Sequence, residues 1–517
     1  MNKKTLNLPL FALLAICFSI AGCQKGSSDP EYHIIRPDFT PEYNTYALTP
    51  GPLGINMTYY NDIYSRGFAW ITDTDADDTE LYLVKSDQGA AADFSNAELI
   101  SGTCEERTNS SMAFNSHKVH VENLEKGKAY SYKIGSSLGY AYGAFIVEKD
   151  QPESITAIQL SDAQTLDPTK LNVWRNTFVK AVETAGDSLD TVLYNGDQFD
   201  QNMERVNGSS VNRILRYSKA LDVISDYKFN IAYMPSSGNH ETSISNVQYI
   251  MNDIEFAKYE SDGAYYSYDY NFAHFVVLNS NDMDDEQVSW LTNDLESASS
   301  ATWKIVMLHH APYSTGDHSD ASANRTLVEK LTPIFASKHV DLVLQAHDHT
   351  YNKTLPYLWG DNKGYTTNDN DTNIVNFNPA QKTYKDKVYD ENPNGTYYVT
   401  TGAAGHRCGE EEEDGIYAEA IKDESGAWKG LNPSKTFLSS KYKHELGKLT
   451  ESNQYTPYTF GNYTSNQNYQ AGDIATGNVN AQMFGVLSLS KNTLNYDAYT
   501  VNSDTVKLFD TLNVYKS

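Results

Sequence analysis

Cysteine is scarce in this chain, with four in 517 residues. Cys17 lies inside an N-terminal apolar stretch and Cys23 closes it, so only Cys104 and Cys408 remain to pair. A scaffold held by several disulfides is therefore excluded, and one bridge or two buried thiols are the readings left open. Basic residues are also few: 40 Lys and Arg against 67 Asp and Glu give a formal net charge of -27. Such a field repels a polyanion, and the cations are scattered, so no nucleic-acid groove is expected. The run Glu410 to Asp414 reads as a solvated loop, with a calcium site as the alternative. Long apolar runs are missing as well; Leu8 to Ile20 is too short and wrongly flanked for a lasting membrane span. What the chain has is 40% apolar residues and 38 Tyr, enough for sizeable cores and in keeping with a sheet-rich, extracytoplasmic protein. Its length calls for two domains with excursions.

Lys3 and Lys4 ahead of the apolar stretch mark an export signal. The stretch ends in Ile20-Ala21-Gly22-Cys23, which resembles a bacterial lipobox, in which small residues admit the signal peptidase and the cysteine sulfur receives the diacylglycerol. An ordinary secretory signal with a chance cysteine is the alternative. Residues 1–22 are then a signal peptide and the polar residues 23–30 a tether. The expected location is the bacterial cell envelope, at the outer membrane or cell surface, with membrane contact only through the lipid on Cys23.

From about residue 31 to 150, short apolar-polar alternations such as Gly67 to Thr72, Glu80 to Val84 and Lys118 to Glu122 are separated by Gly, Asp and Asn. They predict an antiparallel β-sandwich. Lys118 to Gly135 resembles the last strands of a fibronectin type III-like domain, and His117 and His120 are expected to be ordinary strand residues. After Pro152, strands alternate with amphipathic helices. Ile155 to Leu160 is followed by Leu171, Trp174, Phe178 and Val182 at helical spacing, Thr191 to Tyr194 by a helix over Val211 to Tyr227. Further strands are expected at Ile231 to Met234, Phe275 to Leu278, Trp303 to Leu308 and Val340 to Leu344. This is a layered α/β core, and such folds bind ligands beyond the carboxyl ends of their strands.

Six polar signatures follow, or lie just beyond, these strands: Asp162-Ala163-Gln164, Gly196-Asp197-Gln198-Phe199-Asp200, Gly238-Asn239-His240-Glu241, His309-His310-Ala311-Pro312, His318 and Ala346-His347-Asp348-His349. Carboxylate, amide and imidazole donors suit divalent or trivalent cations. Two cations held ~3.5 to 4 Å apart can grip a phosphate and activate water, and holding them so close takes a shared anion. Asp197, in a Gly-Asp turn, is the candidate bridge. In His347-x-His349 alternate residues of an extended segment face one side, so adjacent metals can take one imidazole each.

On these residues the chain resembles the calcineurin-like metallophosphoesterases, and more closely the plant-type purple acid phosphatases. The resemblance implies two mixed sheets flanked by helices over 151–517, an α/β metallophosphoesterase domain, after an all-β sandwich over 31–150. Only the region of about 357–458 has no clear match beyond the Gly402-Ala403-Ala404-Gly405 loop. Carried over, it implies two metal ions of Fe, Zn or Mn. Asp162, Asp197 and His349 would hold one, and Asp197, Asn239, His310 and His347 the other. His240 and His318 would contact phosphate and protonate the leaving oxygen.

Two departures matter. The purple branch has tyrosine where this chain has Asp200, which removes the colouring phenolate and weakens the case for ferric iron. Asp200 is expected to ligate a metal, with capping of the following helix as the alternative. Gln164 stands where the wider family often has histidine, either binding metal weakly or supporting the turn behind it. Rings of adjacent residues in an extended backbone point to opposite sides, so one of His309 and His310 is expected to reach the metals. His310 is chosen because His310-Ala311-Pro312 matches the family's His-x-Pro, leaving His309 behind the ligands. Glu241 is expected to support its motif, and His406 to lie at the surface or behind the site; His274, His339 and His444 read as structural.

The reading is hydrolysis of a phosphomonoester by metal-bound hydroxide. Alternatives are a phosphodiesterase or nucleotidase of the same fold, and a surface lipoprotein that binds glycan or protein without catalysis. Oligomeric state is not legible in the chain.

Overall fold

The computed structural model describes residues 39–165, 167–201, 210–228, 230–314, 318, 322–354, 356, 380–408, 420–422, 428–431 and 481–517. The export signal, Cys23, the tether, the acidic run Glu410 to Asp414, His444 and most of 357–458 lie outside them.

Eight N-terminal strands form two antiparallel four-stranded sheets. One contains, in spatial order, Leu53–Thr58, Arg66–Thr72, Met112–Val121 and Thr103–Asn109; the other contains Glu98–Ser101, Glu80–Lys85, Ala129–Ser136 and Gly139–Ile146. Phe68, Trp70, Leu81, Leu83, Tyr132 and Ile134 fill the space between them, as period-two alternation requires. Arg66–Thr72 nevertheless is buried along its whole length, because its opposite face turns Ile71 into the core of the following domain. Asn56 Nδ2 donates to Asn252 Oδ1 at 2.6 Å and Thr58 Oγ1 to the Asp253 carbonyl at 2.9 Å. His117 is buried, its ring nitrogens each 2.8 Å from a threonine hydroxyl, of Thr72 and Thr79. His120 stacks on Tyr60 and lies 3.3 Å from Asp253. Cys104 and Cys408 form no disulfide and are both half-buried.

The second domain has two mixed sheets. In the eight-stranded sheet the order is Ala232–Pro235, Thr191–Tyr194, Ser154–Leu160, Gln482–Ser490, Thr493–Asn502, Thr505–Tyr515, Lys387–Glu391 and Gln381–Tyr384. In the seven-stranded sheet it is Lys258–Tyr259, Ala264–Tyr270, Ala273–Val277, Trp303–Met307, Leu342–Gln345, Tyr397–Thr401 and Tyr351–Lys353. Strands covered on both faces read as continuous apolar runs, and here the two faces separate cleanly. Ile155, Ala157, Leu193, Ile305, Met307, Leu342 and Leu344 meet in the core between the sheets. Ile158, Leu160, Val192 and Tyr194 face one helical layer, and Val306, Leu308 and Val343 the other.

The helix Pro168–Ala185 starts where Asp167 accepts from the Thr169 and Lys170 amides and Pro168 opens the first turn. It buries Leu171, Trp174, Phe178 and Val182, the four residues marked by their spacing. The helix expected over Val211 to Tyr227 is shorter. It runs Arg213–Asp222, capped by Asn212, and a turn at Val223 and Ile224 separates it from Ser225–Lys228.

His274 ties the helix Asp285–Ser297 to its sheet, with Nδ1 2.7 Å from Asp269 and Nε2 2.8 Å from Asp294. Burial opposes its charge, but these two carboxylates prevail and raise its pKa to about 9. The native state thus holds this proton more tightly than the unfolded chain does. The contribution is full below the unfolded value near 6.5 and is lost as pH rises through about 9. We predict that His274→Gln reduces the fall in Tm between pH 7 and 10 relative to wild type, measured by thermal denaturation; equal slopes would show that the two ion pairs contribute nothing.

Candidate metal centre

Parallel register aligns the strand ends. Leu160, Tyr194 and Pro235 lie abreast in one sheet, and Val277, Met307 and Leu344 in the other. The segments that follow emerge together at one edge of the sandwich. Asp162, Gln164, Asp197 and His347 have φ of 51°, 39°, 58° and 72°, a left-handed conformation that costs non-glycine residues about 1 to 3 kcal/mol each. Surrounding hydrogen bonds hold it. The Asp162 amide donates to the Gly196 carbonyl and the Gln164 amide to the Asp197 carbonyl, both at 3.0 Å. The Glu241 carboxylate accepts from the amides of Asp197, Gln198 and Gly238 at 2.7 to 2.8 Å. A Cβ on Gly238 would stand 2.1 Å from Asp197 Oδ1, so glycine there is a requirement of space.

Asp197, His309 and His347 bring one donor atom each within 4.8 Å of one another. His309 Nε2 is 3.4 Å from Asp197 Oδ2 and 3.1 Å from Asn239 Oδ1. Its Nδ1 is 2.7 Å from the Asn195 carbonyl, which can only accept, so Nδ1 carries the proton and Nε2 is left as a donor atom for a metal. The same logic applies at His349. Nδ1 donates to the Arg407 carbonyl at 3.1 Å, leaving Nε2 3.6 Å from Asp162 Oδ1. That carboxylate oxygen and Gln164 Oε1 are buried with no hydrogen-bond partner. A buried oxygen without a donor is costly, and a cation is what would satisfy it. The donor set therefore fits two oxygen- and nitrogen-liganded cations, one near Asp162, Asp197 and His349 and one near Asp197, Asn239, His309 and His347.

His309, and not His310, is the histidine in this cluster. The strand ends at Met307, so the pleat that would send adjacent rings to opposite sides has already stopped. The two rings lie 5.2 Å apart at 81°. His310 Nδ1 pairs with the Ser280 hydroxyl at 2.9 Å, and its ring lies 4.5 Å from that of His347. Asp200 stands apart from the three-donor group, with Oδ1 3.4 Å from His240 Nδ1 and Oδ2 4.0 Å from Arg407 Nη1. Among the described residues the next helix, Arg213–Asp222, is capped by Asn212.

The two expected substrate histidines flank the donors. His240 Nδ1 accepts from the Gln201 amide at 2.8 Å, and Nε2 lies 3.6 Å from Asp197. His318 lies over His347, ring centroids 4.1 Å apart, with Nδ1 2.6 Å from Asp348. Glu241 supports the Asp197 turn, and His406 is half-buried on the loop beside His349.

The charges interlock. Burial disfavours ionised Asp197, yet His309, with His240 and His347 behind it, holds its carboxyl well below the usual range. Burial likewise opposes protonation of His309, but Asp197 pushes its pKa up to about 10. Burial and the neighbouring His309 lower His310 to about 3, and burial with His310 lowers His347. For His240 burial is outweighed by Asp200 and Asp197, which raise it. Cations placed among these groups would take over the role of the His309 proton.

Sequence reasoning missed Asn195 and Arg407. Asn195 sits directly between its strand and Gly196-Asp197, a position that could have flagged it, whereas nothing local marks Arg407.

Residues 158–351 match the family model for the calcineurin-like phosphoesterases. The chain is 25% identical over 314 residues to acid phosphatase type 7 of Mus musculus, covering 56% of this chain and 64% of that protein. It thus spans less than two-thirds of that relative's length. A purple acid phosphatase from yellow lupin seeds (Lupinus luteus) superposes with a TM-score of 0.59 at 14% identity, over 90% of this chain and 75% of that one. PhoD superposes with a TM-score of 0.53 at 11% identity over 92% of both chains. At such identities these two structures speak to the fold alone.

We predict that His309→Ala lowers the metal content of the purified protein and that His310→Ala retains it, as read by elemental analysis. The reverse result would return the ligand role to His310.

Proposed function

We propose, on the match of residues 158–351 to the calcineurin-like phosphoesterase model, that the chain is a metal-dependent phosphoester hydrolase acting on phosphomonoesters in the manner of an acid phosphatase. The observation that carries this reading is the convergence of Asp162, Asp197, Asn239, His309, His347 and His349 between His240 and His318, with buried carboxylate and amide oxygens lacking donors. Two cations, when bound, supply charge that polarises the phosphoryl group and lowers the pKa of water.

The chain's own residues supply orientation and proton transfer. Asp197, held by three amides through Glu241, fixes the centre of the site. The Gln201 amide occupies His240 Nδ1, so the neutral ring carries its proton on Nε2, the nitrogen on the Asp197 side. Asp348 orients His318 from the opposite flank. These two imidazoles bind the phosphate and donate to the leaving oxygen, a role worth about 10² to 10⁴-fold in rate for each. Hard carboxylates, an amide oxygen and imidazoles suit Fe, Zn or Mn.

The test is elemental analysis combined with hydrolysis of p-nitrophenyl phosphate, a diester and a nucleotide. We expect turnover of the monoester, its loss in Asp197→Ala and Asn239→Ala, and a fall in kcat of about 10² to 10⁴-fold in His240→Ala. Tight metal binding with no turnover of any ester would favour a binding role, and turnover confined to diesters would overturn the substrate class.

We also propose that the protein is lipid-anchored in the cell envelope through Cys23, on the strength of the lipobox-like Ile20-Ala21-Gly22-Cys23. In cell fractionation, Cys23→Ser is expected to move the protein from the membrane to the soluble fraction; unchanged membrane retention would remove the anchor.

A further inference from the structure

The loop after Tyr397–Thr401 reaches across from one sheet to the other. The Ala404 amide donates to the Ser161 carbonyl at 2.9 Å and the Gly405 amide to the Asp162 carbonyl at 3.2 Å. A Cβ on Gly405 would stand 2.0 Å from the Ala163 carbonyl oxygen, so a side chain there would push the loop away. Two residues later the Arg407 carbonyl accepts from His349 Nδ1 at 3.1 Å. The backbone of Arg407 is therefore bound to one candidate ligand and, through its loop, to the turn of another. Its guanidinium extends to Asp200, Nη1 to Oδ2 4.0 Å, with the arginine side chain 33% exposed and the aspartate 10%. Asp200 also lies 3.4 Å from His240 Nδ1. His240, Asp200 and Arg407 make a row along one edge of the donor cluster, ending in the half-buried cation of Arg407.

We propose that Arg407 is a specificity residue that binds a non-bridging phosphoryl oxygen and selects phosphomonoesters over phosphodiesters, with Asp200 as the residue that positions it. The proposal rests on the phosphoester-hydrolase reading and deepens it. A monoester dianion presents three non-bridging oxygens that share its charge. A diester presents two, and an alkoxy group stands where the third would be. A guanidinium reaching that third position would gain a charge-assisted hydrogen bond from the monoester and nothing comparable from the diester. At 4.0 Å the pair is longer than a hydrogen bond, so Asp200 acts on the guanidinium through charge attraction rather than through a fixed donor-acceptor geometry.

The test compares metal-loaded wild type, Arg407→Ala, Arg407→Lys and Asp200→Asn. It measures kcat/KM for p-nitrophenyl phosphate and bis-p-nitrophenyl phosphate, the Kd for inorganic phosphate by calorimetry, and metal content. Arg407→Ala is expected to lower monoester kcat/KM by about 10- to 100-fold, the scale of a lost charged hydrogen bond. It should weaken phosphate binding in parallel, change the diester value little and keep its metal. Arg407→Lys, which retains charge and the aliphatic stem, should fall between, and Asp200→Asn should shift the same ratio less, with metal intact. An unchanged monoester-to-diester ratio in both arginine variants overturns the proposal, and loss of metal in Asp200→Asn overturns the positioning role. If wild type hydrolyses neither ester, the hydrolase reading fails, and the phosphate affinity of the arginine variants still decides whether Arg407 binds the anion.

Discussion

Asn195 holds together what the rest of the site depends on. Its amide nitrogen belongs to a residue at the end of a strand in the eight-stranded sheet, yet its side chain donates to the Leu308 and Leu344 carbonyls of the other sheet, at 3.0 and 2.8 Å. Its carbonyl accepts from His309 Nδ1, and its amide donates to the Leu160 carbonyl at 2.8 Å. Strand ends leave backbone groups without ladder partners, and buried ones must be satisfied. One buried residue therefore closes the gap between the sheets with its side chain and sets the tautomer of a candidate ligand with its carbonyl.

Around that joint the structure accepts local costs. Four residues at the donor cluster sit in left-handed backbone, and several buried oxygens lack donors. Isolated, each feature would destabilise a turn. They persist because Glu241 satisfies three amides of the Asp197 and Gly238 turns and because three apolar layers hold both sheets. The arrangement places the unfavourable groups where cations would relieve them, as expected for strain at a functional site.

Much of this was legible in the chain. Strands buried on both faces left unbroken apolar runs such as Trp303 to Leu308, and the 3.6-residue spacing of Leu171, Trp174, Phe178 and Val182 located a helix. The all-β and α/β segments were distinguishable because their periodicities differ. Boundaries were less legible. The helix after Asp197 broke at Val223, and one sandwich strand lost its alternation because it packs on two domains at once. Both effects come from contacts with residues far away in the chain.

The order of Asp162, Asp197, Asn239, His347 and His349 at strand ends followed from the sequence, because polar residues directly after apolar strands can only gather at the edge of a sheet. Which of His309 and His310 turns inward did not follow, because the strand ends at Met307, two residues before His309, and the choice is made by the Asn195 carbonyl in the opposite sheet. The same holds for Arg407, set beside His349 by a glycine that lets its loop touch the Asp162 turn. Donor types and their sequence spacing are local properties, and the chain alone determined them. The direction of each donor, and the company of Asp200, depend on contacts between segments more than two hundred residues apart, and only the tertiary structure decided them.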